Sequence, residues 1–120
     1  MSVSRTPWEL TVSANGEWFR TEKLEWPAST LASALEAALG LPVHVRAEHP
    51  PRDPDSQHRK YLRYIVDSDA PIESERLADA AEGVVRGAGW GPSGPWNIQL
   101  TVSSDGVPPV HRSIEIEVRD

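Results

Sequence analysis

Side chains that could bind a metal ion or transfer protons are concentrated in the middle of the chain. The segment 43–64 contains three of the four histidines together with three acidic residues: His44, His49, His58, Glu48, Asp53 and Asp55. A zinc site needs three or four such ligands converging on one point. The spacing here matches no metal signature, so we interpret these residues as side chains of a strand and a polar loop. We predict no metal site and no cofactor.

Other patterns that could support catalysis are weak. Glu115 and Glu117 lie on one face of a predicted strand, but glycosidase-type chemistry needs two carboxylates that flank a cleft. The glycine-rich segment Gly87–Pro95 follows a helix, whereas a phosphate-binding loop precedes the helix whose N-terminus donates to the phosphate. His111 stands alone beside two prolines and is given no role. The sequence therefore predicts no catalytic residue and favours a protein that is not an enzyme, without excluding an enzyme.

The strongest functional indication is a locally basic hairpin in an acidic chain. The whole chain carries −6 and the segment 43–64 carries +2, so the remainder carries −8. We predict that His44, Arg46, Tyr61 and Arg63 share the outer face of this hairpin, and arginine and tyrosine are enriched at protein interfaces. The alternative is a solvated strand face without a partner. The acidic net charge disfavours nucleic-acid binding.

Two functional hypotheses follow. The first is a small non-enzymatic domain of inhibitor, immunity or adaptor type that docks a protein partner through His44, Arg46, Tyr61 and Arg63, with Trp90 as a second contact. A homodimer formed through the same surface is a variant of it. The second is a small-molecule binder or small enzyme with a pocket between the second helix, the 87–95 loop and the sheet. In that case Trp90 and Trp96 line the pocket, and His44 or His49 supplies acid–base function.

Hydrophobic periodicity predicts an α+β fold with the element order ββαββαββ. Trp8, Leu10 and Val12 alternate with polar residues, as in a half-buried strand, and Asn15-Gly16 is a typical tight-turn sequence. The segments starting at Pro7 and Pro95 are similar, which leaves open an internal duplication or convergence of two amphipathic hairpins. The predicted strands cover about 8–13, 17–26, 41–47, 59–67, 96–103 and 113–119.

Two helices separate these hairpins. The first follows Pro27, has Ser29 or Thr30 as a possible N-cap, and ends at Gly40 as a left-handed cap. The second spans about 72–87, with Asp69 or Ser74 as a possible cap. Gly83 lies inside it and is expected to pack closely on the sheet, since glycine otherwise weakens a helix.

The economical assembly is a two-layer sandwich, with both helices on one face of an antiparallel sheet. Omitting one peripheral strand at each end leaves βαββαβ, the ferredoxin-like order, which hosts many functions. The 120 residues form a single predicted domain, and residues 1–6 are expected to be flexible. The chain lacks cysteine and has no signal-peptide pattern or long apolar run, so we expect a soluble cytoplasmic protein without membrane association.

Overall fold

A computed structural model shows an α+β fold with a five-stranded antiparallel sheet and two helices. The structure describes residues 3–4, 7–14, 26–51, 54, 61–87 and 96–116. Their elements are, in chain order, β1 (Val3–Ser4), β2 (Trp8–Ala14), α1 (Ala28–Leu39), β3 (His44–Ala47), β4 (Leu62–Asp67), β5 (Ile72–Glu73), α2 (Ser74–Arg86), β6 (Trp96–Ser104) and β7 (Val107–Ile116).

The sheet order is β3-β4-β2-β6-β7, which places β2, the first of these five strands along the chain, in the centre. β2 pairs with β4 on one side and with β6 on the other. The short strands β1 and β5 form a separate antiparallel ladder, in which Val3 lies opposite Glu73. Within the described part of the chain, neither helix is long and apolar enough to cross a membrane.

The central position of β2 contradicts the first predicted hairpin. Residues 62–66 pair with one edge of Trp8–Val12. Residues 100–103 pair with the other edge, along Glu9–Val12. A strand over 17–26 therefore cannot pair with this stretch, although Asn15-Gly16 is a favourable turn sequence. Trp26 lies directly before α1 and is not in a strand, and residues 17–25 lie outside the described residues.

The last predicted hairpin is confirmed, but its second strand is longer than predicted. β6 and β7 are joined at Asp105-Gly106, where Gly106 has a φ of 75° that favours glycine. β7 begins at Val107, before the predicted start at Ser113, and includes Pro108 and Pro109. Proline is tolerated there because β7 ends the described sheet, so one side of the strand needs no ladder hydrogen bonds.

The hydrophobic core lies between one face of the sheet and the two helices. Alternate residues of the strands point into it and are almost fully inaccessible, as Leu10, Tyr64 and Leu100 are. The helices contribute the leucines of α1 and one stripe of α2 to the same cluster. The members are Trp8, Leu10, Val12, Leu31, Leu35, Leu39, Val43, Leu62, Tyr64, Val66, Ile72, Leu77, Ala78, Ala80, Ala81, Val85, Ile98, Leu100, Val102 and Ile114.

Of the helix caps predicted from the sequence, the structure confirms one, at Gly40. Gly40 is left-handed, with a φ of 73°, and its N–H donates to the carbonyl of Glu36 at 2.8 Å, which confirms the predicted cap. The predicted side-chain caps are wrong. α1 is preceded by Pro27 and α2 by Glu73, and neither makes a side-chain capping bond. The second helix starts later than predicted because Ile72–Glu73 pairs with β1 as a strand.

Gly83 does not pack closely on the sheet as expected. It is exposed on α2, and a Cβ atom built there would meet nothing within 4 Å. We therefore expect Gly83→Ala to raise the free energy of unfolding by about 0.5–1 kcal/mol, since alanine restricts the unfolded chain more than glycine does. Urea denaturation monitored by tryptophan fluorescence measures this change.

The matched control is Gly40→Ala. A Cβ atom there also meets nothing within 4 Å, but the φ of 73° is unfavourable for an L side chain. This variant should lose about 1 kcal/mol. If the two substitutions change the free energy of unfolding equally, the backbone conformation does not determine how these two positions tolerate alanine.

Candidate functional site

The face of the sheet opposite the helices carries mainly polar side chains, with Ile65 among them, in rows that cross neighbouring strands. These side chains alternate along β2, β4, β6 and β7 with the buried residues of the core. The strand register gives three rows: Ile65–Glu9–Ser103, Arg63–Thr11–Thr101–His111, and Ser13–Gln99–Ser113. Directly opposed side chains in a sheet have Cβ atoms about 5 Å apart. Each row can therefore act as one unit toward a molecule on this face.

A chain of ion pairs crosses one end of this outer face. Two nitrogens of Arg63, Nε and Nη2, each lie 3.1 Å from a carboxylate oxygen of Glu9. Nη1 of Arg63 lies 3.8 Å from Glu48, whose other oxygen is 2.5 Å from Nε of Arg46. The hydrogen bond with Glu9 raises the pKa of Arg63, and the negative charges of Glu9 and Glu48 act in the same direction. Arg63 is thus compensated by carboxylates from two other segments, whereas Arg46 shares Glu48 with it and is 68% exposed.

His49 supports the end of β3. The backbone N–H of Arg63 donates to Nδ1 of His49 at 3.2 Å, and the N–H of Glu48 donates to the carbonyl of Arg63 at 2.8 Å. The imidazole also meets the ring of Tyr64 edge-on, with centroids 4.8 Å apart. The side chain of His49 therefore continues the pairing of β3 and β4 beyond Ala47, where two prolines prevent the strand from continuing.

His111 lies in a hydrogen-bonded network across β6 and β7. Its Nδ1 is 2.9 Å from the hydroxyl of Thr101, and its Nε2 is 2.7 Å from Oε1 of Gln99. Nε2 of Gln99 donates to Asn97 and, at 3.0 Å, to Ser113. Because Oε1 of Gln99 is an acceptor, Nε2 of His111 carries a proton, and in the neutral ring Nδ1 accepts the proton of the Thr101 hydroxyl. The sequence analysis missed this role of His111.

Two open cavities lie side by side on the outer face, and Glu9 lines both. We call the first the Tyr61 cavity. It has a volume of about 420 Å³ and is lined by Glu9, Thr11, Ser13, Tyr61, Gln99, Thr101 and His111. We call the second the Arg46 cavity. It has a volume of about 510 Å³ and is lined by Pro7, Glu9, Arg46, Glu48, Arg63, Ile65, Ser103, Ser104 and Asp105.

The structure places four of the five predicted partner-binding residues on this face. Arg46 and Arg63 line the Arg46 cavity, and Tyr61, which is 38% exposed, lines the Tyr61 cavity. His44 is exposed at the far end of β3, opposite Asp67, and lines neither cavity. Trp90 lies outside the described residues. Their role in binding a partner stays a prediction.

The alternative pocket beside the second helix involves parts of the chain that the structure leaves out. Trp90 and most of the 87–95 loop are outside the described residues, and Trp96 is described only as the first residue of β6. Among the residues that are described, no group of three or more histidine or acidic side chains could hold a metal ion. His44 and His49 therefore do not belong to a metal cluster within this part of the chain.

No family model matches this sequence, and no curated protein or solved structure matches it either. The geometry of the outer face is therefore the basis for assigning a function. That face combines an ion-paired region, a hydroxyl-rich region and an exposed aromatic ring within a short distance across the sheet.

Proposed function

We propose that this chain is a small non-enzymatic binding domain that docks a protein partner through the outer face of its sheet. The observation that carries the proposal is the arrangement of Tyr61 and Arg46 at two adjoining cavities, on a face opposite both helices. Tyrosine and arginine are the side chains that most often dominate the energy of protein interfaces. An inhibitor, an immunity protein and an adaptor all fit this description. We also propose a cytoplasmic location for the chain.

The ion pairs define the chemistry of the partner surface. Arg63 is held by Glu9 and Glu48, so its charge is already compensated. The side chain of Arg46 is 68% exposed and pairs with Glu48 from one side. A partner that places a carboxylate or a backbone carbonyl against Arg46 and an apolar side chain against Tyr61 is complementary to this face. A nucleic acid is less complementary, because the chain carries a net charge of −6.

The substitution that tests this proposal is Arg46→Glu. We expect it to weaken partner binding at least about tenfold, since it replaces a guanidinium whose side chain is 68% exposed with a negative charge that repels the partner's acceptor. Arg63→Glu is a poorer choice, because a glutamate there would face two carboxylates, those of Glu9 and Glu48, whereas a glutamate at the more exposed position 46 would face Glu48 alone. Thermal unfolding of the Arg46→Glu variant should remain close to that of the wild type.

Quantitative affinity enrichment from cells provides the measurement. The baits are the full chain, Arg46→Glu, Tyr61→Ala, and the control Glu36→Lys, which reverses an exposed charge on α1 in the opposite layer. The proposal predicts a protein that the wild type and the control retain and both outer-face variants lose. Retention of the same proteins by all four baits would contradict it. A wild-type homodimer in sedimentation that Arg46→Glu converts to a monomer would identify the partner as a second copy of this chain, which is the homodimer variant of the proposal.

We also propose that the core has the ferredoxin-like order. The elements β2, α1, β3, β4, α2 and β6 follow the pattern βαββαβ, and the sheet order β3-β4-β2-β6 supports this assignment. The core then begins at the strand that contains Trp8, instead of at the strand that the sequence analysis expected after Asn15-Gly16. β7 is added beside β6 at the end of the described sheet.

A further inference from the structure

The Tyr61 cavity has the size and polarity of a small-ligand site. Its volume of about 420 Å³ falls within the range of about 300–1,000 Å³ that is typical of ligand pockets. Three hydroxyl groups, one amide, one imidazole and one carboxylate converge on it from β2, β6 and β7. Within the described residues, the hydroxyls of Thr11 and Ser13 make no side-chain hydrogen bond. They can therefore donate to a ligand or accept from it.

The charges around the cavity favour a neutral ligand. Among the described residues of the lining, Glu9 is the acidic one, and its carboxylate is already bonded to Arg63. The described lining contains no lysine or arginine that could hold a phosphate or carboxylate. Both ring nitrogens of His111 are already engaged, by Thr101 and Gln99. An anionic ligand such as a nucleotide therefore meets no lysine or arginine among the described residues of the lining, and the nearby Arg63 is bonded to Glu9.

The aromatic ring adds an apolar surface to this polar cavity. Tyr61 precedes β4 at the rim and is 38% exposed. A planar ring beside rows of hydroxyl and amide groups suits a ligand with one apolar face and many hydroxyl groups at its edge. A pyranose ring has this character, because its axial C–H groups form a face and its hydroxyls form a rim.

We infer that the Tyr61 cavity binds a monosaccharide or the terminal residue of a short glycan. Tyr61 packs against the apolar face of the sugar ring. Thr11, Ser13, Thr101 and Gln99 form hydrogen bonds with its hydroxyl groups, and His111 fixes the orientation of Thr101 and Gln99. This site goes beyond the proposed protein-docking function, and because a docked partner and a sugar would both cover the ring of Tyr61, the sugar site would operate in the chain without its partner.

The same network does not form an acyl-transfer site. Thr101, His111 and Gln99 have the order of a nucleophile, a base and a residue that orients the base. A tetrahedral intermediate also needs donors that stabilise its oxyanion. The backbone groups of β6 are engaged by β2 on one side and by β7 on the other. The geometry thus supports binding of a hydroxyl-rich ligand without cleavage.

Nuclear magnetic resonance titration of the ¹⁵N-labelled full chain tests the inference. The probes are glucose, galactose, mannose and N-acetylglucosamine, with inorganic phosphate and adenosine as competing chemistries. We expect saturable shifts at Thr11, Thr101 and His111 with at least one sugar. A dissociation constant near ~1 mM is reasonable for so small a ligand in an open site.

Two variants and one matched control make the result specific. Thr101→Val removes the hydroxyl with little change in shape and should weaken sugar binding about tenfold, as expected for one buried polar contact. Tyr61→Ala should weaken it by a similar factor. Thr30→Val makes the same chemical change on the exposed surface of α1 and should leave binding unchanged. The inference is wrong if no sugar gives saturable shifts, if Thr101→Val and Thr30→Val bind equally well, or if phosphate saturates the cavity instead.

Discussion

Replacing Tyr64 by alanine lowers the free energy of unfolding by about 3–5 kcal/mol, the usual range for removing a buried aromatic side chain. Tyr64 lies in β4 beside the central strand and is 0% exposed. Its hydroxyl donates to the backbone carbonyl of Trp26 at 2.9 Å, directly before α1. The ring of His49 contacts it edge-on at the end of β3. The substitution therefore removes contacts from the core, the start of a helix and the end of a strand together.

Urea denaturation of the full chain measures this loss, and two further variants separate its parts. Tyr64→Phe keeps the ring and should cost about 1 kcal/mol, because it removes one hydrogen bond and leaves the Trp26 carbonyl without that donor. Tyr61→Ala changes the other tyrosine of the chain, which is exposed on the outer face, and should cost less than about 0.5 kcal/mol. Similar losses for Tyr61→Ala and Tyr64→Ala would contradict the assignment of Tyr64 to the core.

Replacing Arg112 by alanine lowers the free energy of unfolding by about 2 kcal/mol in low salt. Arg112 lies in β7, and its guanidinium approaches three carboxylates of α2. The distances are 2.6 Å to Glu75, 2.8 Å to Asp79 and 3.2 Å to Glu82. The side chains of Arg112 and Glu82 are 25% and 26% exposed, whereas those of Glu75 and Asp79 are 60% and 69% exposed, so the pair with Glu82 is the one that is partly shielded from water. Without the guanidinium, three like charges remain on one face of the helix and repel one another.

The hydrogen bonds with Asp79 and Glu75 raise the pKa of Arg112 above that of an ordinary arginine. A raised pKa in the folded state means that this stabilisation is fully present below the ordinary value and is lost only at higher pH. Loss of the guanidinium should therefore be equally harmful at pH 6 and pH 9. It should be less harmful at about 1 M salt, which screens the repulsion among the carboxylates.

Arg86→Ala is the matched control for Arg112. Arg86 pairs with Glu82 at 3.0 Å within α2 itself, and its side chain is 52% exposed. Pairs of this kind contribute about 0.3–0.5 kcal/mol. Adding Glu75→Gln to Arg112→Ala should recover part of the lost stability, because one repelling charge is removed. If Arg86→Ala and Arg112→Ala lower the free energy of unfolding equally, Arg112 does not stabilise the packing of β7 against α2.

Local sequence patterns correctly predicted the elements that depend on residues close together in the chain. The alternation in β6, the turn at Asp105-Gly106 and the glycine cap at Gly40 each involve residues close together in the chain. The α+β class and the antiparallel sheet follow from such patterns. The strands that pair with β2 could not be predicted from such patterns. Asn15-Gly16 favours a local hairpin, whereas in the structure β2 pairs with two strands that are distant in sequence.

The candidate site was predicted in part for a related reason. Arg46, Tyr61 and Arg63 were assigned to one face from alternation within a single hairpin, and the structure places them there. Glu9 lies far away in sequence, so its pairing with Arg63 has no local signal. His111 was missed because Pro108-Pro109 suggested a break before the strand. Had the edge strand been extended through these prolines, the register would have set His111 opposite Thr101.

The central position of β2 has a consequence for the order in which the chain can fold. β2 is synthesised before both of its neighbours, β4, which begins at Leu62, and β6, which begins at Trp96. During translation the apolar side chains of Trp8, Leu10 and Val12 remain exposed until both of these strands have left the ribosome. Contacts between residues far apart in sequence slow folding, and exposed apolar strands aggregate while they wait. Chaperone capture of the nascent N-terminal segment would protect this chain until the sheet closes around it.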